Sequence, residues 1–339
     1  MAPKIFVTGG TGYIGGSVLH TIVTSHPDYE VSVLLRNIPD AFSSTYPNVK
    51  IIKGDYDSFD VLADAASKAN LVVHNGNSDH EPSLNAIIAG LLRRSTPGFL
   101  MHLSGTAVVV DLHAEKYLGK AEPKIWSDTS NLADIWALPD TAPHRNTEKI
   151  LNETVAKHGD KINIAIMCPP DIYGRGKGLA KTWSAYVPMF IDEAKKLGAA
   201  FYYGDGSNFK SWVHIEDLMH WYLKVVEAAA SGGGGLDWGK DGYYFAGTQE
   251  VSQLDIAKVA GPVLKKHGVI QNGEPQQISL STLDSMLQAV PYPKISRYMF
   301  ALNSRTRPER AQKLWGYKGS APGLLEVLEQ DIADSVEKK

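Results

Sequence analysis

The stretch Thr8-Gly9-Gly10-Thr11-Gly12-Tyr13-Ile14-Gly15-Gly16 follows a short apolar run, Lys4 to Thr8. It opens a segment whose apolar residues, Val18, Leu19, Ile22 and Val23, recur at helical spacing. Gly9, Gly12 and Gly15 fall in the order G-x-x-G-x-x-G, a close variant of the fingerprint of dinucleotide-binding turns. In such turns one glycine lets the strand bend sharply, one lets backbone approach a pyrophosphate, and one lets helix pack against strand. The helix start behind them offers free N–H groups and a positive dipole end to phosphate. Glycines also serve ordinary turns, so the spacing alone is weak. Its place between a strand and a helix, at the head of an alternating pattern, makes cofactor binding the reading.

That alternation continues. Strands are expected at Ile5–Thr8, Val31–Leu35, Val49–Lys53, Leu71–His74, Phe99–Leu103 and Ile162–Met167, with helices over 13–25, 58–68, 83–94 and 144–158. Short buried strands separated by helices predict an α/β fold, a doubly wound parallel sheet of Rossmann type with right-handed crossovers. Residues 110–142 break the rhythm: they are polar and mixed, carry Trp126 and Trp136, and read as an insertion over the C-terminal edge of the sheet. After Cys168-Pro169-Pro170 the pattern loosens into helix Trp183–Leu197, strand Ala200–Tyr203, helix Glu216–Ala230, strand Tyr243–Ala246 and further helices. Ser252, with Asp255 three residues on, is expected to cap one of these. The glycine run at 232–235 reads as a surface loop. The expected division is a dinucleotide domain over 1–168, to which 209–247 return, and a smaller substrate-covering region from 169–208 and 248–339.

Composition excludes several classes. A chain of 339 residues with 43% hydrophobic content can bury a large core. A net charge of -3 provides no basic excess for nucleic acid and no polybasic face for a membrane. No apolar run reaches the roughly 18 residues of a transmembrane helix. Met1-Ala2-Pro3-Lys4 runs straight into the first strand, so no signal peptide is expected and the cytoplasm is the expected compartment. Cys168 is the only cysteine, which rules out a disulfide framework. His74, His80, His102 and His113 show no metal-ligand spacing, and no G-x-S-x-G elbow supports a serine hydrolase. The expected partner is a small-molecule substrate, and the expected assembly a monomer or homodimer.

Several short segments, in order, carry a family resemblance over nearly the whole chain. They are the glycine turn, Gly54-Asp55-Tyr56-Asp57, Pro169-Pro170-Asp171-Ile172-Tyr173-Gly174, Tyr203-Gly204-Asp205-Gly206, Trp212-Val213-His214-Ile215-Glu216-Asp217-Leu218, and Asn303-Ser304-Arg305 with Leu314-Trp315-Gly316-Tyr317. Together they resemble the extended short-chain dehydrogenase/reductases, the NAD-dependent epimerase/dehydratase-like group. The resemblance implies that Gly9, Thr11, Gly12, Tyr13, Ile14 and Gly15 hold the diphosphate. It implies too that Asp55 and Tyr56 border the adenine, that Asn75 and Gly76 line the cofactor, and that Pro169, Pro170 and Ile172 carry the nicotinamide.

The second strand ends Leu35-Arg36-Asn37. An acidic residue there suits the ribose hydroxyls of NAD; an arginine suits the extra phosphate of NADP, because guanidinium pairs with phosphate bidentately. NADP(H) rather than NAD(H) is therefore expected. The family's chemistry uses a Ser or Thr after the fifth strand and a Tyr-x-x-x-Lys pair on a helix; the Lys holds the ribose and lowers the Tyr pKa. Here the strand ends Leu103-Ser104-Gly105-Thr106, with glycine at the usual hydroxyl position, and the helix reads His144-Arg145-Asn146-Thr147-Glu148-Lys149. With Lys149 taken as the ribose-binding lysine, four residues back lies Arg145, and the tyrosine is missing. Ser104 or Thr106 would orient the substrate oxygen, and His144, Arg145, Tyr173 or Tyr117 would supply the proton or its electrostatic substitute. Tyr117 and Lys120 also mimic a Tyr–Lys pair at a three-residue spacing, outside a clear helix. The expected activity is an NADP(H)-dependent hydride transfer to or from a carbonyl or hydroxyl; the alternatives are a sugar-nucleotide epimerase/dehydratase and a non-catalytic NADP(H)-binding regulator.

Overall fold

A computed structural model describes residues 2–110, 112, 115–292 and 294–337. Met1 and His113 of the sequence readings lie outside the described residues. Seven parallel strands form the main sheet: β1 (Lys4–Thr8), β2 (Glu30–Leu35), β3 (Lys50–Lys53), β4 (Leu71–His74), β5 (Gly98–Leu103), β6 (Ile162–Cys168) and β7 (Tyr243–Phe245). Their spatial order is β3-β2-β1-β4-β5-β6-β7. Winding thus reverses between β1 and β4, which opens a crevice at their C-terminal ends.

Period-two alternation places each strand residue on one of two faces. Val7, Val33, Val73, Met101 and Met167 pack under α1 (Tyr13–Ser25) and α5 (Ile215–Ala230). Phe6, Leu34, Val72, Leu100 and Ile166 pack under α2 (Phe59–Lys68), α3 (Glu81–Leu92) and α4 (Arg145–His158). The polar residues that end these strands lie in register, Thr8 beside His74 and His74 beside His102, so hydrophobic burial gives way to chemistry at one level of the sheet.

Residues 171–173, 209–214 and 249–252 form a second, three-stranded sheet. Around it the C-terminal region builds its own core from Phe190, Phe201, Trp212, Leu264, Phe300 and Leu328. The return to the main sheet therefore begins at Ile215, not at Phe209, because Phe209–His214 pairs with the second sheet. Ser252 caps its helix as expected, its Oγ accepting from Asp255 N–H at 3.1 Å. The insertion contains a two-residue strand, Trp126–Ser127, paired with Thr306–Arg307, which ties it to the C-terminal region. Among the described residues no helix is long and apolar enough to cross a membrane.

Candidate functional site

The turn between β1 and α1 is built almost wholly from backbone. Gly9 has a φ of 74°, and a β-carbon there would lie 2.2 Å from the Asn75 carbonyl oxygen. One at Gly15 would lie 2.3 Å from the Gly9 oxygen. Both contacts exclude any side chain, so the ends of β1 and β4 and the first turn of α1 close up on one another. Gly12 N–H donates to the Gly9 oxygen at 2.8 Å, and α1 starts with no side-chain cap. Its first N–H groups are left for a ligand. Asn75 Oδ1 accepts from the Tyr222 hydroxyl at 2.7 Å, while its buried Nδ2 has no hydrogen-bond partner among the described residues. An uncapped helix start, a cradle that a β-carbon would fill and an orphaned buried donor suit the diphosphate and ribose of a dinucleotide.

A cavity of about 340 Å³ continues outward from this turn, lined by Gly9, Thr11, Arg36, Asn37, Asp55, Tyr56 and His80. Arg36 is exposed and forms no ion pair among the described residues. Asp55 Oδ1 accepts from Ser58 Oγ at 2.7 Å and from Asp57 N–H at 3.1 Å, which holds its carboxyl below the usual range. The Tyr56 ring lies over Gly76, where a β-carbon would come within 2.6 Å of Cζ. His80 closes the rim through Asp57 at 3.2 Å. A larger cavity, about 810 Å³, opens at the other end of the sheet beside Lys4, Lys50 and Lys68. It lies away from the crevice, and ligands of such folds bind at the strand C-termini.

The N-terminus of α4 is arranged differently from its sequence reading. His144 stands just before the helix at a φ of 64°, a conformation rarely held by a non-glycine residue. Its Nδ1 lies 2.7 Å from Asp79 Oδ1 and 3.3 Å from Ser78 Oγ. The opposite nitrogen, Nε2, looks at Gly105, where a β-carbon would lie 3.1 Å from it. Four residues on, one helical turn away, Glu148 is fully buried. It accepts from Ser104 Oγ at 2.7 Å and from the Tyr243 hydroxyl at 2.9 Å, and faces Arg145 Nη1 at 3.5 Å. Burial pushes its carboxyl up, against the pull of Ser104 and Tyr243.

The four-residue pair that faces the strand ends is therefore His144–Glu148, and the frame that begins from Lys149 is one residue off. Lys149 is turned about 100° further around the helix. Its ammonium pairs with Asp140 at 2.7 Å and is nearly half exposed, so it does not face the crevice. Arg145 is buried and donates to the carbonyls of Trp136 at 3.0 Å and Leu138 at 3.3 Å, tying the insertion to α4 rather than facing a substrate. Ser104 is committed to Glu148, and Thr106 to Ser304 Oγ at 3.0 Å, both away from Gly105. Tyr173 is buried, donates to the Pro322 carbonyl at 2.8 Å and accepts from Gln249, and burial drives its phenol far up. It serves the second core. Pro169 accepts from Thr106 N–H at 3.0 Å and Ile172 pairs with Val213. Tyr117 accepts from Asn303 through its backbone, with Lys116 over its ring.

Below this level His74 is fully buried between Thr8 Oγ1, at 2.7 Å, and Ser83 Oγ, at 3.3 Å, and burial lowers its pKa to about 4. The His102 ring lies tilted beside it, 5.3 Å between ring centres, and its pKa is lowered by the same desolvation. Sequence reading missed Asp79 and Glu148. The signal for Glu148 was present: counting forward from His144 gives the four-residue spacing that counting back from Lys149 does not.

The NmrA-like family model matches residues 1–92, and the NAD dependent epimerase/dehydratase family model matches residues 144–238. Among curated proteins, "Oxidase ucsJ" of Acremonium sp is 29% identical over all of this chain and 99% of its own length. The dTDP-glucose 4,6-dehydratase DesIV of Streptomyces venezuelae, solved with NAD and TYD bound, is 17% identical with a TM-score of 0.66, covering 97% of this chain and 96% of that one. The UDP-glucuronic acid 4-epimerase of Bacillus cereus, in complex with UDP-glucuronic acid and NAD, is 15% identical with a TM-score of 0.63, covering 99% of each chain. At these identities the solved structures speak for the fold. The two family models match the dinucleotide turn and the α4 segment, and over nearly its whole length the chain shares its fold with these dehydratase and epimerase structures.

Proposed function

We propose that the chain is an NADP(H)-dependent oxidoreductase that moves hydride to or from a carbonyl or hydroxyl carbon of a small organic substrate. The observation that carries the reading is the Asp79–His144 pair beside Gly105, at the mouth of the crevice. When bound, the nicotinamide supplies or accepts the hydride. The protein's own task is then the proton on the substrate oxygen. Asp79 accepts from Nδ1–H of His144, which fixes the ring and directs Nε2 outward. In the reducing direction Nε2–H gives its proton to the oxygen as the carbonyl becomes a hydroxyl, and solvent restores it. In the oxidising direction Nε2 takes that proton. Gly105 leaves room for the oxygen to approach Nε2, where a serine or threonine side chain would stand in the way.

The exposed guanidinium of Arg36, without an ion-pair partner among the described residues, supports the preference for the 2′-phosphate of NADP(H). The description of the oxidase relative supports a redox reaction. The second reading, an epimerase or dehydratase that keeps its nucleotide through a complete oxidation–reduction cycle, is favoured by the neighbours solved with NAD and a sugar nucleotide. The test is NAD(P)H consumption and formation against a panel of aldehydes, ketones, enones and alcohols, with wild type and His144→Phe. The reading expects the substitution to keep cofactor affinity and to cut turnover by about 10²–10⁴-fold. Equal turnover would remove His144 from the reaction. A wild type that binds cofactor but turns over nothing in the panel would favour a regulator.

A further inference from the structure

The segment Gly174-Arg175-Gly176-Lys177-Gly178-Leu179-Ala180-Lys181 leaves the second sheet and doubles back as a strap across the start of α1. Gly176 N–H donates to the Thr182 carbonyl at 2.9 Å, closing the strap on itself. Three bonds fasten it to the dinucleotide turn: Tyr13 hydroxyl to Gly174 oxygen at 2.6 Å, Lys177 N–H to Ser17 Oγ at 3.0 Å, and Lys181 N–H to the Thr11 oxygen at 3.2 Å. The seat is close. A β-carbon at Gly178 would lie 3.0 Å from Gly16 Cα, and one at Gly176 2.8 Å from Ser17 Oγ. The alternate glycines let this strap lie flat on the helix.

Its cations are not equivalent. Arg175 pairs with Asp334 at 3.4 Å and stacks over Trp183, and Lys177 pairs with Glu216 at 3.3 Å. Lys181 is exposed and has no carboxylate partner among the described residues, and its backbone N–H is bonded to Thr11, between Gly9 and Gly12 of the turn. Across the crevice α4 offers no spare cation, since Arg145 is committed to Glu148 and Lys149 to Asp140. The glycine turn itself supplies only N–H groups and a helix end, against two negative charges on a diphosphate. We infer that Lys181 is a diphosphate-binding residue, delivered to the rim of the turn by the strap. Its long stem and three rotatable donors suit a point contact with phosphate oxygens. The inference rests on reading Gly9–Gly15 as a dinucleotide site.

ADP-ribose, which carries the diphosphate without the nicotinamide, is the probe. Its affinity is measured by calorimetry for wild type, Lys181→Ala, Lys181→Arg and Lys177→Ala. Lys181→Ala weakens binding by about tenfold, the usual loss of a charge-assisted contact. Lys181→Arg restores most of it, and Lys177→Ala changes it little because that ammonium is directed at Glu216. Unchanged affinity in Lys181→Ala, with wild type binding ADP-ribose, overturns the assignment of Lys181 alone. A wild type that does not bind ADP-ribose overturns the dinucleotide reading and this inference with it.

Discussion

The turn at Gly9–Gly15 and the start of α4 at His144–Glu148 face the same crevice, yet they are made of different material. The first is backbone, shaped by what cannot fit at Gly9 and Gly15. The second is side chains, aimed by helical phase and by partners such as Asp79, Ser104 and Tyr243. A backbone site follows from glycine spacing. A side-chain site turns on a single residue of register, because one step along a helix is about 100° of rotation.

The contrast is tested most severely at Gly12. A β-carbon there meets only the Gly9 oxygen, at 3.2 Å, and the residue's φ of -78° suits any amino acid. Gly12→Val is therefore expected to fold, with an unchanged circular dichroism melt, and to lose detectable NADPH binding, because its methyl groups fill the space before the helix start. Normal binding would move the phosphate site elsewhere. Next in size is Glu148→Ala. Removing one partner of a buried pair leaves the Arg145 charge uncompensated, and unfolding in urea should show a loss of about 3–5 kcal/mol. Lys149→Ala, one residue away, breaks only an exposed pair with Asp140 and should cost within about 0.5 kcal/mol. If the two variants lost equal stability, the register argued for α4 would be wrong.

The segments that were legible in the sequence are those where one rule dominates. Short buried apolar runs and helical period identify β1–β6 and α1 to within about one residue, because tertiary packing agrees with local pattern there. Asp55, Tyr56, Asn75 and Gly76 gather around the turn because strand ends at a switch point converge. Ser104, Thr106 and Tyr173 were named for their hydroxyls, and nothing local shows that Glu148, Ser304 and Pro322 have already taken those groups. Asp79 was invisible for another reason: it belongs to a loop 65 residues from His144.

The level beneath the crevice can be probed with acid. The pKa of His74 is about 4 in the fold, against about 6.5 for an unfolded chain. The unfolded state therefore binds the proton first, and stability falls as pH drops from about 6.5 to 4, by about 3 kcal/mol. Asp128, buried and raised to about 6, works in the opposite sense over much of that window. The comparison is accordingly between wild type and His74→Gln. The variant's urea midpoint should decline less between pH 7 and 4; parallel curves would mean that His74 is charged in the native protein. A smaller effect is expected at Arg36. Arg36→Asp should weaken NADPH by about 10- to 150-fold, the cost of losing a charge-assisted pair, and should leave NADH less affected. Equal affinity of the wild type for NADPH and NADH, by fluorescence titration, would remove the NADP preference.

The buried Arg145–Glu148 pair also bears on how this chain could change. A single substitution of Glu148 by lysine would place two cations together in a pocket closed to water, with Ser104 and Tyr243 oriented to donate toward them. Arg145 could not leave first without dropping its hold on the Trp136 and Leu138 carbonyls and leaving Glu148 an unneutralised buried anion. Each first step passes through a destabilised protein. The residues behind the crevice thus constrain one another: a cation at 148 calls for a compensating change at Arg145 as well.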